Sequence, residues 1–150
     1  MPSEHRTRLE VVGEVARYLG AVSLLMVAAI HAQQYYDAYF SAVPTIGRLF
    51  MLNIIGAGLT GLLLLAPVRL LGRRAGDAIL VLAGLAGIGV AAGTFTALIV
   101  SEYTPLFGFM ESGYRLAIVL TLLFDALTTA FLGFFLLSIA PDLAKEFARH

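Results

Sequence analysis

Residues 78–101 read AILVLAGLAGIGVAAGTFTALIVS, a stretch without a single charged side chain. A transmembrane α-helix needs about 20 consecutive apolar residues to cross a hydrocarbon core of about 30 Å. Helices of soluble bundles carry a polar outer face, and this stretch has none. It therefore predicts a helix that spans a membrane.

Three further stretches are predominantly apolar over a similar length. The predicted spans cover residues 18–36, 48–66, 78–101 and 114–139. Residues 1–16 are mixed in charge and predict either an amphipathic helix at the membrane surface or a helical lead-in to the first span. A signal peptide cut after Ala32 would place Ile30 where a small residue is needed. We therefore interpret the first span as a retained helix.

The overall composition supports a membrane protein. Hydrophobic residues make up 59% of the chain and charged residues 13%, against about 45–50% and about 25% in soluble domains. The net charge of zero gives no basic footprint for nucleic acid. The absence of cysteine excludes disulfides and thiolate metal sites. The length leaves room for a single integral membrane domain, residues 1–150.

The basic residues predict an orientation. Of the ten Lys and Arg residues, all except Arg48 and Arg115 precede the first span, lie in the 67–77 connection or follow the fourth span, as Lys145 and Arg149 do. The positive-inside rule then places both termini and the 67–77 connection in the cytoplasm. The fold prediction is an all-α, four-helix transmembrane bundle with both termini cytoplasmic.

The second and third spans are rich in glycine. Small residues let helices approach closely in a membrane, so we expect these glycines to pack against neighbouring helices within the bundle. A dimer interface is the alternative. The glycines concerned are Gly56, Gly58, Gly61, Gly84, Gly87, Gly89 and Gly93.

Asp125 is the most unusual residue of the fourth span. It lies ten positions beyond Arg115, or about 15 Å along a helix that rises 1.5 Å per residue. An acid at that depth should face the bundle interior or a wet cavity. Thr121 and Thr128 share its face. The carboxyl is either a proton carrier, cation site or ligand contact, or a neutral group bonded to Thr or Asn of a neighbouring helix.

Weakly polar stripes on all four spans predict an outward-facing ligand pocket. His31, Tyr35 and Asn53 would form its walls, and Asp125 with Thr60 would form its floor. The rim would consist of five charged residues, whose ion pairs could instead simply tie the two outer loops together: Asp37, Arg48, Glu102, Glu111 and Arg115.

Specific chemistries find little support in the sequence. A b-type haem would need a second axial ligand, because His31 is the only histidine within a span. A metal bound by His31 and loop carboxylates is chemically reasonable, but no ligand spacing is present. Tyr35, Tyr36 and Phe50 could hold a quinone beside His31. The alternative is that His31 bonds a neighbouring helix while Tyr and Phe anchor the interface. We expect no cofactor, no metal and no catalytic residue.

The segments HAQQYYDAYFSAVPTIGRLFMLN (31–53) and LFGFMESGYR (106–115) resemble a group of small four-span bacterial membrane proteins. In size and span count the chain also resembles the DoxX-like proteins. These resemblances imply a fold and a multi-pass location in a bacterial cytoplasmic (inner) membrane. The leading prediction is a non-enzymatic accessory or partner-binding subunit, in a homodimer or a larger membrane complex. The alternatives are a redox or quinone-associated protein and a proton- or cation-coupled transporter using Asp125.

Overall fold

The protein is all-α in the computed structural model, which describes residues 2–110 and 113–147. All four helices are long and apolar enough to span a membrane, which confirms the predicted helical bundle at the level of length and composition. Glu111 and Arg149, which entered the predictions, lie outside the described residues. The helices are α1 (Pro2–Asp37), α2 (Pro44–Leu65), α3 (Arg73–Tyr103) and α4 (Leu116–Phe147).

The helices extend beyond the predicted spans at several ends. α1 starts at Pro2, so the charged N-terminal segment is a lead-in continuous with the first span rather than a separate surface helix. Pro44 lies in the first turn of α2, where its missing N–H costs nothing. α2 ends at Leu65 because Ala66 precedes Pro67, and a residue before proline disfavours the α conformation.

The helices run up and down, so the connections divide between the two ends of the bundle. The double-loop end carries the α1–α2 and α3–α4 connections, residues 38–43 and 104–115. The terminal end carries the α2–α3 connection (66–72), the start of α1 and the end of α4. Helix α1 packs closely against α4 and α2, whereas α2 and α3 pack least tightly of the neighbouring pairs.

The tightly packed core lies in the terminal half of the bundle. Leu24, Leu64, Leu80, Leu132 and Phe135 are almost completely buried there. Glycines allow this packing. A Cβ atom on Gly61 would lie 2.8 Å from Leu25, and a Cβ atom on Gly87 would lie 2.7 Å from Leu132.

The glycine prediction holds for some positions and fails for others. Gly61, Gly84 and Gly87 are in close contact with neighbouring helices, as predicted. A Cβ atom on Gly89 or Gly93 would meet nothing within 4 Å among the described residues. The prediction that this G-x-x-x-G pair packs within the bundle is therefore wrong, because α2 and α3 leave a gap between them at this level.

An ion-pair network ties the elements of the terminal end together. The buried Arg17 donates from Nη1 to the Leu64 carbonyl, at 2.6 Å, near the C-terminus of α2. Glu14 accepts from Arg17 and from Arg69, and Arg69 also donates from Nε to Asp77 at 2.7 Å. Partial burial lowers the pKa of Arg69, but the hydrogen bonds to Asp77 and Glu14 outweigh this and raise it.

We expect Gly76→Ala to destabilise the terminal end. The new Cβ atom would lie 2.6 Å from Cα and 2.9 Å from N of Arg69, and backbone atoms cannot rotate away. The free energy of unfolding should fall by about 1–3 kcal/mol, as for other overpacked sites. Equilibrium unfolding in mixed micelles measures it.

Gly58→Ala provides the control, because a Cβ atom on Gly58 meets no described residue within 4 Å. This variant should gain about 0.5–1 kcal/mol from the lower backbone entropy of alanine in the unfolded chain. Equal behaviour of the two variants would contradict the close approach at Gly76.

Candidate functional site

A cavity of about 340 Å³ lies between α2 and α3 in the double-loop half of the bundle. Its volume falls within the range of about 300–1,000 Å³ that is typical of small-molecule sites. The wall is mainly apolar. Phe50 and Leu49 of α2 and Leu98 of α3 contribute to it.

The cavity opens sideways, between the two helices. Four of its lining residues, Leu49, Leu52, Gly89 and Gly93, are also exposed on the surface of the bundle, and Leu52 is 66% exposed. The two glycines leave α3 without side chains along the gap. The entrance therefore lies on the apolar lateral surface and not at an end of the bundle.

Aromatic side chains cover the cavity at the double-loop end. Phe40 is buried and stacks on Phe50, with ring centroids 4.9 Å apart and an interplanar angle of 11°. Phe109 meets Phe40 edge-on at 5.4 Å. Together with Leu106, Phe40 and Phe109 form the wall of the cavity at that end.

The loops achieve this placement with unusual backbone angles. Leu106 and Phe109 exchange two backbone hydrogen bonds of 2.7 and 2.9 Å across a tight turn, and Phe107 inside it has φ of 53°. Tyr39 in the other loop has φ of 61°. Left-handed conformations are unfavourable for bulky residues. Both strained residues point outward, at 77% exposure for Tyr39 and 65% for Phe107.

His31 is the polar residue best placed in the cavity wall. It is only 7% exposed, and its ring centroid lies 4.9 Å from that of Phe50. Its Nδ1 lies 2.9 Å from the Val27 carbonyl oxygen. A carbonyl can only accept, so Nδ1 carries the hydrogen. No residue of the described chain hydrogen-bonds Nε2, the other ring nitrogen.

His31 also borders a second, smaller cavity of about 30 Å³. Gln34, Thr121 and Arg115 add polar groups to a lining that is otherwise mainly apolar. This cavity is large enough for a water molecule. The Arg115 guanidinium also lies 5.7 Å from the Phe40 ring centroid. The imidazole thus borders both cavities.

The other polar residues of the larger cavity are engaged with each other or with backbone. Asn53 donates from Nδ2 to Thr94 Oγ1, which links α2 to α3. Ser101 donates its hydroxyl to the Leu98 carbonyl at 2.8 Å. Asn53 Oδ1 is buried and has no partner within the described ranges.

Asp125 lies inside the bundle but outside both cavities. It is 1% exposed, and neither carboxyl oxygen has a hydrogen-bond partner among the described residues. Thr128, one turn away, is fully buried and its hydroxyl likewise has no partner there. The alternative prediction, a carboxyl bonded to Thr or Asn of a neighbouring helix, is therefore wrong for the part of the chain described.

The remaining predicted pocket residues divide as follows. His31 and Asn53 line the larger cavity, whereas Tyr35 and Thr60 do not. Tyr35 is half-buried and packs edge-on against Tyr36 at 5.0 Å. Thr60 lies between α2 and α3 closer to the terminal end, near Gly87.

The four predicted rim residues that the structure describes lie near the double-loop end. Asp37 and Arg48 are exposed. Glu102 accepts from the Gly113 backbone N–H at 3.2 Å and so closes the 102–113 loop. A hydrogen bond between Tyr114 and Tyr103 also holds this loop and raises the pKa of the Tyr114 hydroxyl. Arg115 lines the smaller cavity.

The sequence did not indicate that Phe40 belongs to the site. No group of three His, Cys, Asp or Glu side chains able to hold a metal occurs in the described part of the chain. Comparison with models of protein families, with curated proteins and with solved structures gives no match. The resemblance to DoxX-like proteins therefore stays one of size and span count, and the cavity is the feature on which a functional conclusion can rest.

Proposed function

We propose that this chain is an integral membrane protein that binds one small apolar molecule in the cavity between α2 and α3. The observation that carries the proposal is the 340 Å³ cavity with its lateral entrance. We assign it a binding role, as the accessory subunit that the sequence predicts, rather than a reaction.

The proposal places the four helices across a bacterial inner membrane with the terminal end in the cytoplasm. Arg69, Arg73 and Arg74 lie at the terminal end, and basic residues favour the cytoplasmic side. Exposed tyrosines such as Tyr39 and Tyr103 lie at the opposite end, and their amphipathic rings favour the membrane interface.

In this orientation the ligand enters from the lipid phase. The entrance lies between Leu52 of α2 and the Gly89–Gly93 segment of α3, which would face acyl chains. Phe40, Leu106 and Phe109 close the side that faces water. A lipid-soluble molecule fits this access, whereas a polar solute would have to cross the apolar surface to reach the site.

Partition of naphthalene between nanodiscs tests the proposal. Phosphatidylcholine nanodiscs that carry the protein should take up naphthalene beyond the amount dissolved by empty nanodiscs, and the excess should saturate near one molecule per chain. Uptake equal to that of empty nanodiscs, or an excess that never saturates, would overturn the proposed function.

A further inference from the structure

We infer that the ligand of this cavity is an aromatic alcohol, a phenol or quinol, whose hydroxyl donates a hydrogen bond to Nε2 of His31. The inference rests on the proposed function and specifies its ligand class. Its first observation is that only one of the two ring nitrogens of His31, Nδ1, has a hydrogen-bond partner in the described chain.

The hydrogen-bonding state of His31 follows from its surroundings. Nδ1 donates to the Val27 carbonyl, so a neutral imidazole presents Nε2 as an acceptor. Among the described residues, no carboxylate lines either cavity beside His31. An unpaired charge buried among apolar side chains has a high desolvation cost, so the ring is neutral and Nε2 accepts.

A second polar residue of the cavity wall, Ser101, also has only an acceptor left for a ligand. Ser101 is buried and its proton is donated to the Leu98 carbonyl, which leaves only its oxygen lone pairs for a ligand. His31 Nε2 and the Ser101 oxygen are thus both acceptors, and a complementary ligand brings a donor.

The apolar part of the site favours a flat ring on that donor. Phe50 packs against both His31 and Phe40, with centroids 4.9 Å apart in each case. Aromatic pairs gain from offset or edge-on contacts beyond their buried area. A ring that carries the hydroxyl can contact these side chains while its oxygen lies next to Nε2.

Ligand pairs that differ only in the donor test the inference on the unmodified protein. In the nanodisc assay, 2-naphthol should bind about 10-fold more tightly than 2-methoxynaphthalene, since an acceptor buried without its donor loses a hydrogen bond. Both affinities are corrected for partition into empty nanodiscs. If the natural ligand is a membrane quinol, tetramethylhydroquinone should also bind more tightly than tetramethylbenzoquinone in the same assay under argon. If only 2-naphthol shows the preference, the ligand is a simpler phenol.

Two α1 variants separate this role from a general effect on the fold. His31→Phe retains an aromatic ring but removes Nε2, so the naphthol preference should disappear while both compounds still bind. Tyr35→Phe removes a hydroxyl one turn away that does not line the cavity, and it should keep the preference. Equal binding of the two naphthalenes to the unmodified protein, or a preference that survives in His31→Phe, would overturn the inference. Failure of every compound to bind would instead refute the proposed function on which it rests.

Discussion

Gly93→Leu is expected to weaken naphthalene binding by about 100-fold, or about 2.7 kcal/mol at 25 °C. Gly93 lines the cavity, and a Cβ atom there would meet no atom of the described residues within 4 Å. A leucine side chain can therefore enter the cavity without displacing the neighbouring helix, and it would occupy the volume that the ligand needs. The nanodisc partition assay measures the loss.

Gly58→Leu is the matched control for this variant. Gly58 also has open space around its Cβ position, but it does not line the cavity. Both substitutions replace glycine in the interior of a helix and should raise its helix propensity by a similar amount. Only Gly93→Leu should lose the ligand. Equal loss in both variants would show that the bound molecule lies elsewhere.

Asp125→Val is expected to raise the free energy of unfolding by about 1–3 kcal/mol. The Asp125 carboxyl is 1% exposed, and neither oxygen has a partner in the described residues. A buried polar group without a partner costs about that amount, and valine replaces the carboxyl with an aliphatic side chain of comparable size. Equilibrium unfolding in mixed micelles measures the change.

Thr128→Val accompanies this variant. It removes another buried polar group without a described partner, the Thr128 hydroxyl, and keeps the side-chain shape nearly constant. It should be neutral or stabilising. Neither substitution should alter naphthalene binding, since neither residue lines the cavity. A marked loss of stability in Asp125→Val would mean that the carboxyl has a hydrogen-bond partner in the membrane-embedded protein. A stabilised variant would instead mean that the fold retains Asp125 at a cost, for a role that stability does not explain.

The expected stabilisation therefore leaves the alternative of a proton- or cation-coupled transporter to be tested separately. Flux of protons into vesicles that contain the protein would then be compared between the unmodified chain and Asp125→Asn. The described structure gives Asp125 no opening to either cavity, so we place this function behind ligand binding.

The helical architecture was predictable because each span carries its own signal. Hydrophobic length specifies a spanning helix without reference to its neighbours. Helical spacing also placed His31 and Asn53 toward the interior, and both line the cavity. The predicted depth and burial of Asp125 likewise followed from its position along one helix.

The cavity itself was not predictable, because it depends on how far apart two helices lie. Gly87 and Gly93 belong to the same glycine-rich pattern, yet one touches Leu132 and the other faces open space. Phe40 and Phe109 reach the site only through loops with left-handed residues, and such loops have no periodicity from which a direction can be inferred. The separation of Asp125 from the cavity also depends on how the helices are spaced, which the sequence does not specify.

The strained aromatic residues at the two loop tips have a consequence for how the bundle sits in a bilayer. Tyr39 belongs to the α1–α2 loop and Phe107 to the α3–α4 loop, so the two rings mark two separate points on one rim. Interfacial anchor side chains help to set the tilt of a spanning protein. Because the chain has no tryptophan, other side chains must serve as these anchors. In the membrane placement proposed above, two rings at the headgroup level would set the depth of the bundle and its tilt along the line between them. The lateral entrance would then lie at a constant height in one leaflet, where a small amphiphile with its hydroxyl near the interface would meet it.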